Sequence, residues 1–141
     1  MNIKKMLSSQ NIKDVRDYFN LYRKLEKELD RTAPEAEKTL KIALLSSFTI
    51  SGIKEILSIK CCELGLLPKF FAGGYNQYPQ HILDKGSDLY RFNPDMVIIF
   101  IDTMSLFGGQ YFSFYQLSNE QRKGWAKKKS EEILSLVKGL K

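Results

Sequence analysis

The chain is poor in the side chains that most often do chemistry. It has one histidine, two cysteines and one tryptophan. The cysteines are neighbours, Cys61 and Cys62. On a helix, adjacent residues point about 100° apart, which disfavours a mutual disulfide. Two thiols also fall short of a tetrahedral metal site. No metal site is therefore expected in this chain, and the cysteine usage fits a reducing, cytoplasmic setting. No apolar run approaches the ~20 residues of a membrane span. Residues 1–10, MNIKKMLSSQ, carry lysines but no apolar stretch, so neither a signal peptide nor a membrane is expected.

What is present is globular. The 141 residues are 43% hydrophobic and 27% charged, which suits one ordinary domain with a core of its own. The net charge is +6. Nucleic-acid binding would interleave basic and exposed aromatic residues. Here the aromatics fall mostly in apolar or turn segments, so the reading is a solvated, lysine-rich surface, with Lys127–Lys129 as one such face. An acidic partner is compatible with the charge.

The chain is organised around Lys41–Leu64. Ile42–Leu45 is a short apolar run that reads as a buried strand. Ser46–Thr49 is a polar turn, and a helix with apolar Ile53, Ile56, Leu57, Cys61 and Leu64 follows from near Ile50. In a strand–turn–helix unit, function sits at the strand's carboxyl end.

Before this unit, Ile3–Ser9 reads as a short helical turn. Gln10–Arg31 reads as an amphipathic helix with Ile12, Val15, Phe19, Tyr22, Leu25 and Leu29 on one face. Residues 32–38 read as a connector. After the unit, Gly65 is the expected C-cap, Leu66–Ala72 a second strand, Tyr75–Gln80 a loop and His81–Leu83 a short helix. Asn93–Pro94 signals a turn. Asp95–Ile101, charge-free from Val97 to Ile101, reads as a central parallel strand. Ser105–Leu117, with five aromatics and two glycines, reads as irregular. Ser118 and Gln121 form a capping-box pattern before a helix over Asn119–Leu140, with Ala126, Ile133, Val137 and Leu140 inward. Trp125 is expected to anchor that helix.

This α, β, α, β, α, β, α order predicts an α/β fold, a three-layer sandwich with a parallel sheet. A helical segment and connector (1–39) would precede the α/β domain (40–141). Three strands are few, and an exposed strand edge is a liability. The expectation is an incomplete sandwich, part of a larger protein or an oligomer that pairs the edge.

Tyr75–Asp102, YNQYPQHILDKGSDLYRFNPDMVIIFID, together with KIALLSSFT at Lys41–Thr49, resembles the N-terminal domain of FkbH-like proteins of the HAD superfamily, subfamily IIIC. The resemblance implies a flavodoxin-like, SGNH-hydrolase-like fold. It implies a following HAD phosphatase-like domain as partner, and a role in loading glyceryl or similar acyl units onto an acyl carrier protein in polyketide and related biosynthesis. No DxDxT motif occurs here; Asp102-Thr103-Met104-Ser105 lacks its second aspartate. The chain is therefore expected to hold no cofactor, and Mg2+ would belong to the HAD domain.

An SGNH hydrolase needs a serine after the first strand, a histidine base and oxyanion donors. Ser47 is the candidate nucleophile. Ser46, Thr49, Gly74, Asn76, Gln77, Gln80 and Asp102 are candidate substrate-binding residues at the sheet's carboxyl edge. The sole histidine, His81, stands in no Asp-x-x-His motif, so the triad is incomplete. The leading expectation is an accessory domain without its own catalysis. The rivals are a divergent esterase or acyltransferase using Ser47, and a module that self-associates through its first helix. In the plainer reading, Ser47 and Thr49 cap the helix that follows them.

Overall fold

A computed structural model describes Leu7, residues 12–31 and residues 38–140. The expected turn at Ile3–Ser9 and the connector at 32–38 lie almost wholly outside those residues. The chain folds as α1 (Val15–Arg31), β1 (Lys38–Ser46), α2 (Ile53–Glu63), β2 (Leu66–Ala72), α3 (Tyr78–Leu83), α4 (Asp88–Phe92), β3 (Met96–Phe100), α5 (Thr103–Phe107) and α6 (Asn119–Gly139). Two 3₁₀ turns, Gly108–Gln110 and Phe114–Gln116, separate α5 from α6. The strands form one small parallel sheet in the order β2-β1-β3.

Burial follows that order. β1, in the middle, is buried from Ile42 to Ser46. β3 is the apolar strand that reads as central, yet it lies at an edge and is only half-buried. The correction has a simple cause. Apolar side chains report cover on the two faces of a sheet, whereas position in the sheet is set by backbone pairing that side chains do not encode. Asp95 starts that pairing. Its carboxylate accepts the Lys41 amide at 2.7 Å, and its own amide donates to the Lys41 carbonyl at 2.9 Å. No described helix is long and apolar enough to cross a membrane.

The described chain divides into two compact units, and each strand gives its first residues to one and its last to the other. In the first unit α1 packs along α2. Leu7, Leu21, Leu25, Ile59 and Cys62 form its core, with Ile12, Tyr18, Tyr22 and Leu67 against it. The apolar face of α1 is turned slightly from the expected one: Leu21 and Tyr18 point in, and Val15 is 56% exposed. A helix buries the stripe its neighbour covers, so i/i+3/i+4 spacing fixes the period better than the phase. Asp14 and Asp17 cap this helix reciprocally. Asp17 accepts the Lys13 and Asp14 amides, Asp14 accepts the Asp17 amide, and the two bonds to Asp17 hold its carboxyl below the usual range. Cys61 and Cys62 are both buried, and neither forms a disulfide.

α2 starts at Ile53, three residues later than its sequence pattern suggests, because Gly52 adopts a left-handed conformation (φ 87°) at its N-cap. No side chain caps α2, so the capping role read for Ser47 and Thr49 does not hold. Gly65 ends the helix with φ 76°.

In the second unit α3 packs on α4 and on α6 around Ile82 and Leu89. α3 begins inside the expected Tyr75–Gln80 loop, with Pro79 in its first turn, where a missing N–H costs nothing. α4 ends at Asn93 in a left-handed conformation, just before Pro94. Ser118 and Gln121 form the expected capping box of α6. The half-buried stripe of α6 is Arg122, Trp125, Lys129, Ile133, Leu136 and Leu140, while Ala126 and Val137 face out. At its far end the Gly139 carbonyl accepts from Lys85 Nζ and lies 3.0 Å from the Tyr90 hydroxyl, which also donates to Ile82 O at 2.7 Å.

The two left-handed glycines bounding α2 differ in one respect. A Cβ on Gly52 would lie 2.9 Å from Phe19 Cζ, whereas one on Gly65 would meet nothing within 4 Å. A left-handed alanine costs roughly 1–2 kcal/mol, so both Gly→Ala changes should destabilise. Gly52→Ala should cost more, because Phe19 must also shift. Urea midpoints that ranked Gly65→Ala as equal or worse would contradict this account.

Candidate functional site

The carboxyl ends of β1 and β3 meet at two residues. The Ser47 amide donates to the carbonyl of Phe100, the last residue of β3, at 2.9 Å, which carries the pairing one residue past the end of β1. The Ser47 hydroxyl then donates to Asp102 Oδ2 at 2.6 Å and accepts the Asp102 amide at 2.9 Å. Asp102 is also the N-cap of α5: Oδ1 accepts the Ser105 amide at 2.9 Å, and Oδ2 accepts the Ser105 hydroxyl at 2.6 Å. Ser105 was not singled out from sequence. Its signal was the Asp-x-x-Ser spacing, which places a side-chain acceptor three residues before a free helical amide.

These donors set the electrostatics. The Ser105 and Ser47 hydroxyls, with the Ser105 amide, hold the Asp102 carboxyl down to about 2. So weakly basic a carboxylate does not draw a proton from a serine hydroxyl. Ser47 is also completely buried, which closes the approach of a substrate carbonyl. Phe48 packs edge-on to Phe100 beside it, with ring centroids 6.4 Å apart.

The other sequence candidates divide into three groups. Ser46 is buried, its hydroxyl accepts the Phe48 amide at 3.0 Å, and its carbonyl accepts the Asn76 amide at 3.0 Å. Asn76 is exposed and left-handed (φ 52°), a conformation its short polar side chain tolerates. A backbone bond thus brings Asn76 to Ser46, while the Ser47 hydroxyl brings Ser47 to Asp102. Gly74 and Gln77 form a second pair, since the Gln77 amide group occupies the space a Gly74 Cβ would need, 2.4 Å from Oε1. Gln77 and Gln80 line a cavity of about 570 Å³, together with His81, Asp84, Asp88 and Arg91; Ser47 is not among its lining residues. Thr49 lies exposed in the turn that follows Ser47.

His81 packs beside Gly73 and Leu45: a Cβ at Gly73 would meet Leu45 Cδ2 at 2.8 Å and His81 Cδ2 at 3.3 Å. Burial pushes the Tyr78 phenol up, in the field of Lys129, Glu132 and Asp102. Among the described residues, no group of three or more His, Cys, Asp or Glu side chains is placed to hold a metal ion.

Residues 41–141 match the family described as FkbH, N-terminal domain. A solved structure, the N-terminal part of the protein BF1531 from Bacteroides fragilis, containing a phosphatase domain and complexed with Mg, is similar over 81% of this chain. The identity is 26% and the TM-score 0.56. The chain spans 29% of that structure's length. None of the curated proteins matches the chain.

Asp102 supplies a pH test. Its folded carboxyl lies below the ordinary value of 3.8, so the stability it contributes is present above about pH 4 and fades as the pH falls through about 2. The stability gap between the wild type and Asp102→Asn should be widest near neutral pH and should close over that acid window in denaturation curves. A gap that stays constant down to pH about 2 would remove the carboxylate's role.

Proposed function

The chain belongs to the FkbH N-terminal domain family, and from that membership we propose that it is an accessory, non-catalytic domain of a cytoplasmic FkbH-like protein. It stands before a HAD phosphatase-like domain, which holds the Mg2+ and performs the phosphate chemistry. Its work is to support that domain and to help present a carrier-protein-bound substrate during loading of a glyceryl or similar acyl unit. In this reading the sheet is the remnant of an SGNH-hydrolase-like sandwich, and α1 is an extension added before the domain at 40–141. The phosphatase domain in the similar polypeptide from Bacteroides fragilis supports such a domain lying in the same polypeptide.

The observation that carries the non-catalytic reading is the bond between fully buried Ser47 and half-buried Asp102. At the carboxyl end of β1, where a hydrolase of this kind would place its nucleophile, the hydroxyl is engaged on both sides and faces a carboxylate that is a poor base. The rival, an esterase using Ser47, has the position of the serine in its favour and the burial against it.

One variant separates them. Ser47→Ala should lower the urea midpoint, because it removes both the bond to the Asp102 carboxylate and the acceptor of the Asp102 amide. It should leave the release of p-nitrophenol from p-nitrophenyl acetate at the rate seen with the wild type. A burst of p-nitrophenol that depends on Ser47 would establish the esterase and overturn the accessory reading.

A further inference from the structure

The two edges of the sheet are built differently. Natural edge strands carry lysine, proline or a bulge, which keep foreign strands from pairing with them. β2 has two of these devices, Pro68 and an exposed Lys69. β3, Met-Val-Ile-Ile-Phe, has neither proline nor charge, yet among the described residues it pairs with β1 alone. Side chains do not encode pairing, but they do record whether an edge is guarded. β2 is guarded and β3 is not, so the outer side of β3 offers its backbone groups to a strand that fits.

The path of the chain says which strand fits. The far end of α6 is fixed: the Gly139 carbonyl accepts from the Tyr90 hydroxyl at 3.0 Å and from Lys85 Nζ. Tyr90 belongs to α4, and only the turn at 93–95 separates α4 from the first residue of β3. α6 therefore ends beside the helix that leads into the amino end of β3, where a parallel neighbour of β3 has to start. Parallel strands need a connection of a dozen residues or more, and residues 101–140 provide one. Such crossovers are right-handed in about 98% of cases, and with β1 holding one side of β3 the free place is its outer side. α6 awaits cover as well. None of its residues is fully buried, and Leu134 and Val137 are 54% and 46% exposed.

We infer that the residues following Lys141 in the intact polypeptide form a fourth strand, parallel to β3 and paired along its outer side, so that β3 is an interior strand of the complete sheet. This rests on the reading above, in which the chain is part of a longer FkbH-like polypeptide, and on its spanning 29% of the similar structure's length. A second copy is the poorer occupant. Head-to-tail pairing would set β3 against β2, where Pro68 lacks an N–H and Lys69 guards the edge. Two-fold pairing would set β3 antiparallel to its own copy, in a sheet that is otherwise parallel.

The test compares hydrogen–deuterium exchange of β3 in the 141-residue chain and in the whole polypeptide, each at several protein concentrations, with the mass of each followed by light scattering. The β3 amides should exchange about tenfold or more slowly in the whole polypeptide, and should gain more protection than those of β2. The gain should not depend on protein concentration. Equal slowing at both edges would be general stabilisation without pairing, and would overturn the fourth strand. Protection that appears only as the whole polypeptide dimerises would give the edge to a second copy, and would overturn it too. A whole polypeptide that carries the phosphatase-like domain but leaves β3 as open as in the short chain would overturn this inference alone. A reading frame that stops at Lys141 would end the longer-polypeptide reading and this inference with it.

Discussion

The junction of Ser47 with Asp102 is the constraint on which the carboxyl end of the sheet depends. β3 is a short edge strand, and β1 is its partner in the sheet. An edge strand of five residues has few ladder bonds to hold its register. The reciprocal pair, hydroxyl to carboxylate and amide to hydroxyl, fixes the register at one end. Asp95 fixes it at the other, with the same logic of one aspartate bonded to the backbone of β1. Asp102 also starts α5 through Ser105, so one carboxylate ends a strand, locks its neighbour and begins a helix. Its depressed ionisation follows from the number of donors it satisfies.

Much of this fold was legible because its signals are local. The capping box at Ser118 and Gln121, the left-handed stop at Gly65 and the turn at Asn93–Pro94 each depend on a few adjacent residues, and each stands where it was read. The errors share one cause, which is that they concern relations between elements. Charge-free β3 was read as central and lies at the edge, because its side chains do not encode how many strands flank it. Leu21 replaced Val15 on the buried face of α1, and Leu136 replaced Val137 on that of α6, because phase is decided by the element packed opposite. α3 began early because Pro79 was weighed as a loop residue rather than as a first-turn residue.

The site was half legible for the same reason. That Ser46, Ser47 and Asp102 lie near one another follows from parallel strands ending on the same side. That Ser47 and Asp102 bind each other does not follow from that. A polar side chain at a strand end either faces the solvent or turns to its neighbour, and the choice depends on distances of a few tenths of an ångström across the sheet. Gln77 and Gln80 are a further case, since the early start of α3 turns them into a neighbouring cavity. Gln77 also folds over Gly74, a contact that only a glycine there permits.

These facts together relocate where function can sit. In parallel α/β folds the strand ends are usually open, because loops diverge there and leave polar groups without partners. Here the principal hydroxyl and carboxylate satisfy each other, and Phe48 and Phe100 close beside them. A filled strand end contributes rigidity and offers little to a ligand. The rigidity is then available to whatever the same strand leads into. β3 leads directly into α5 and the aromatic segment, through the very residue that is locked. The first turn of that segment is capped by Asp102, and its end is held to α6 by Arg122. On this argument the bond between Ser47 and Asp102 acts as structure: the serine at the position a hydrolase would use as a nucleophile instead holds the end of β3 and the start of the segment that follows it.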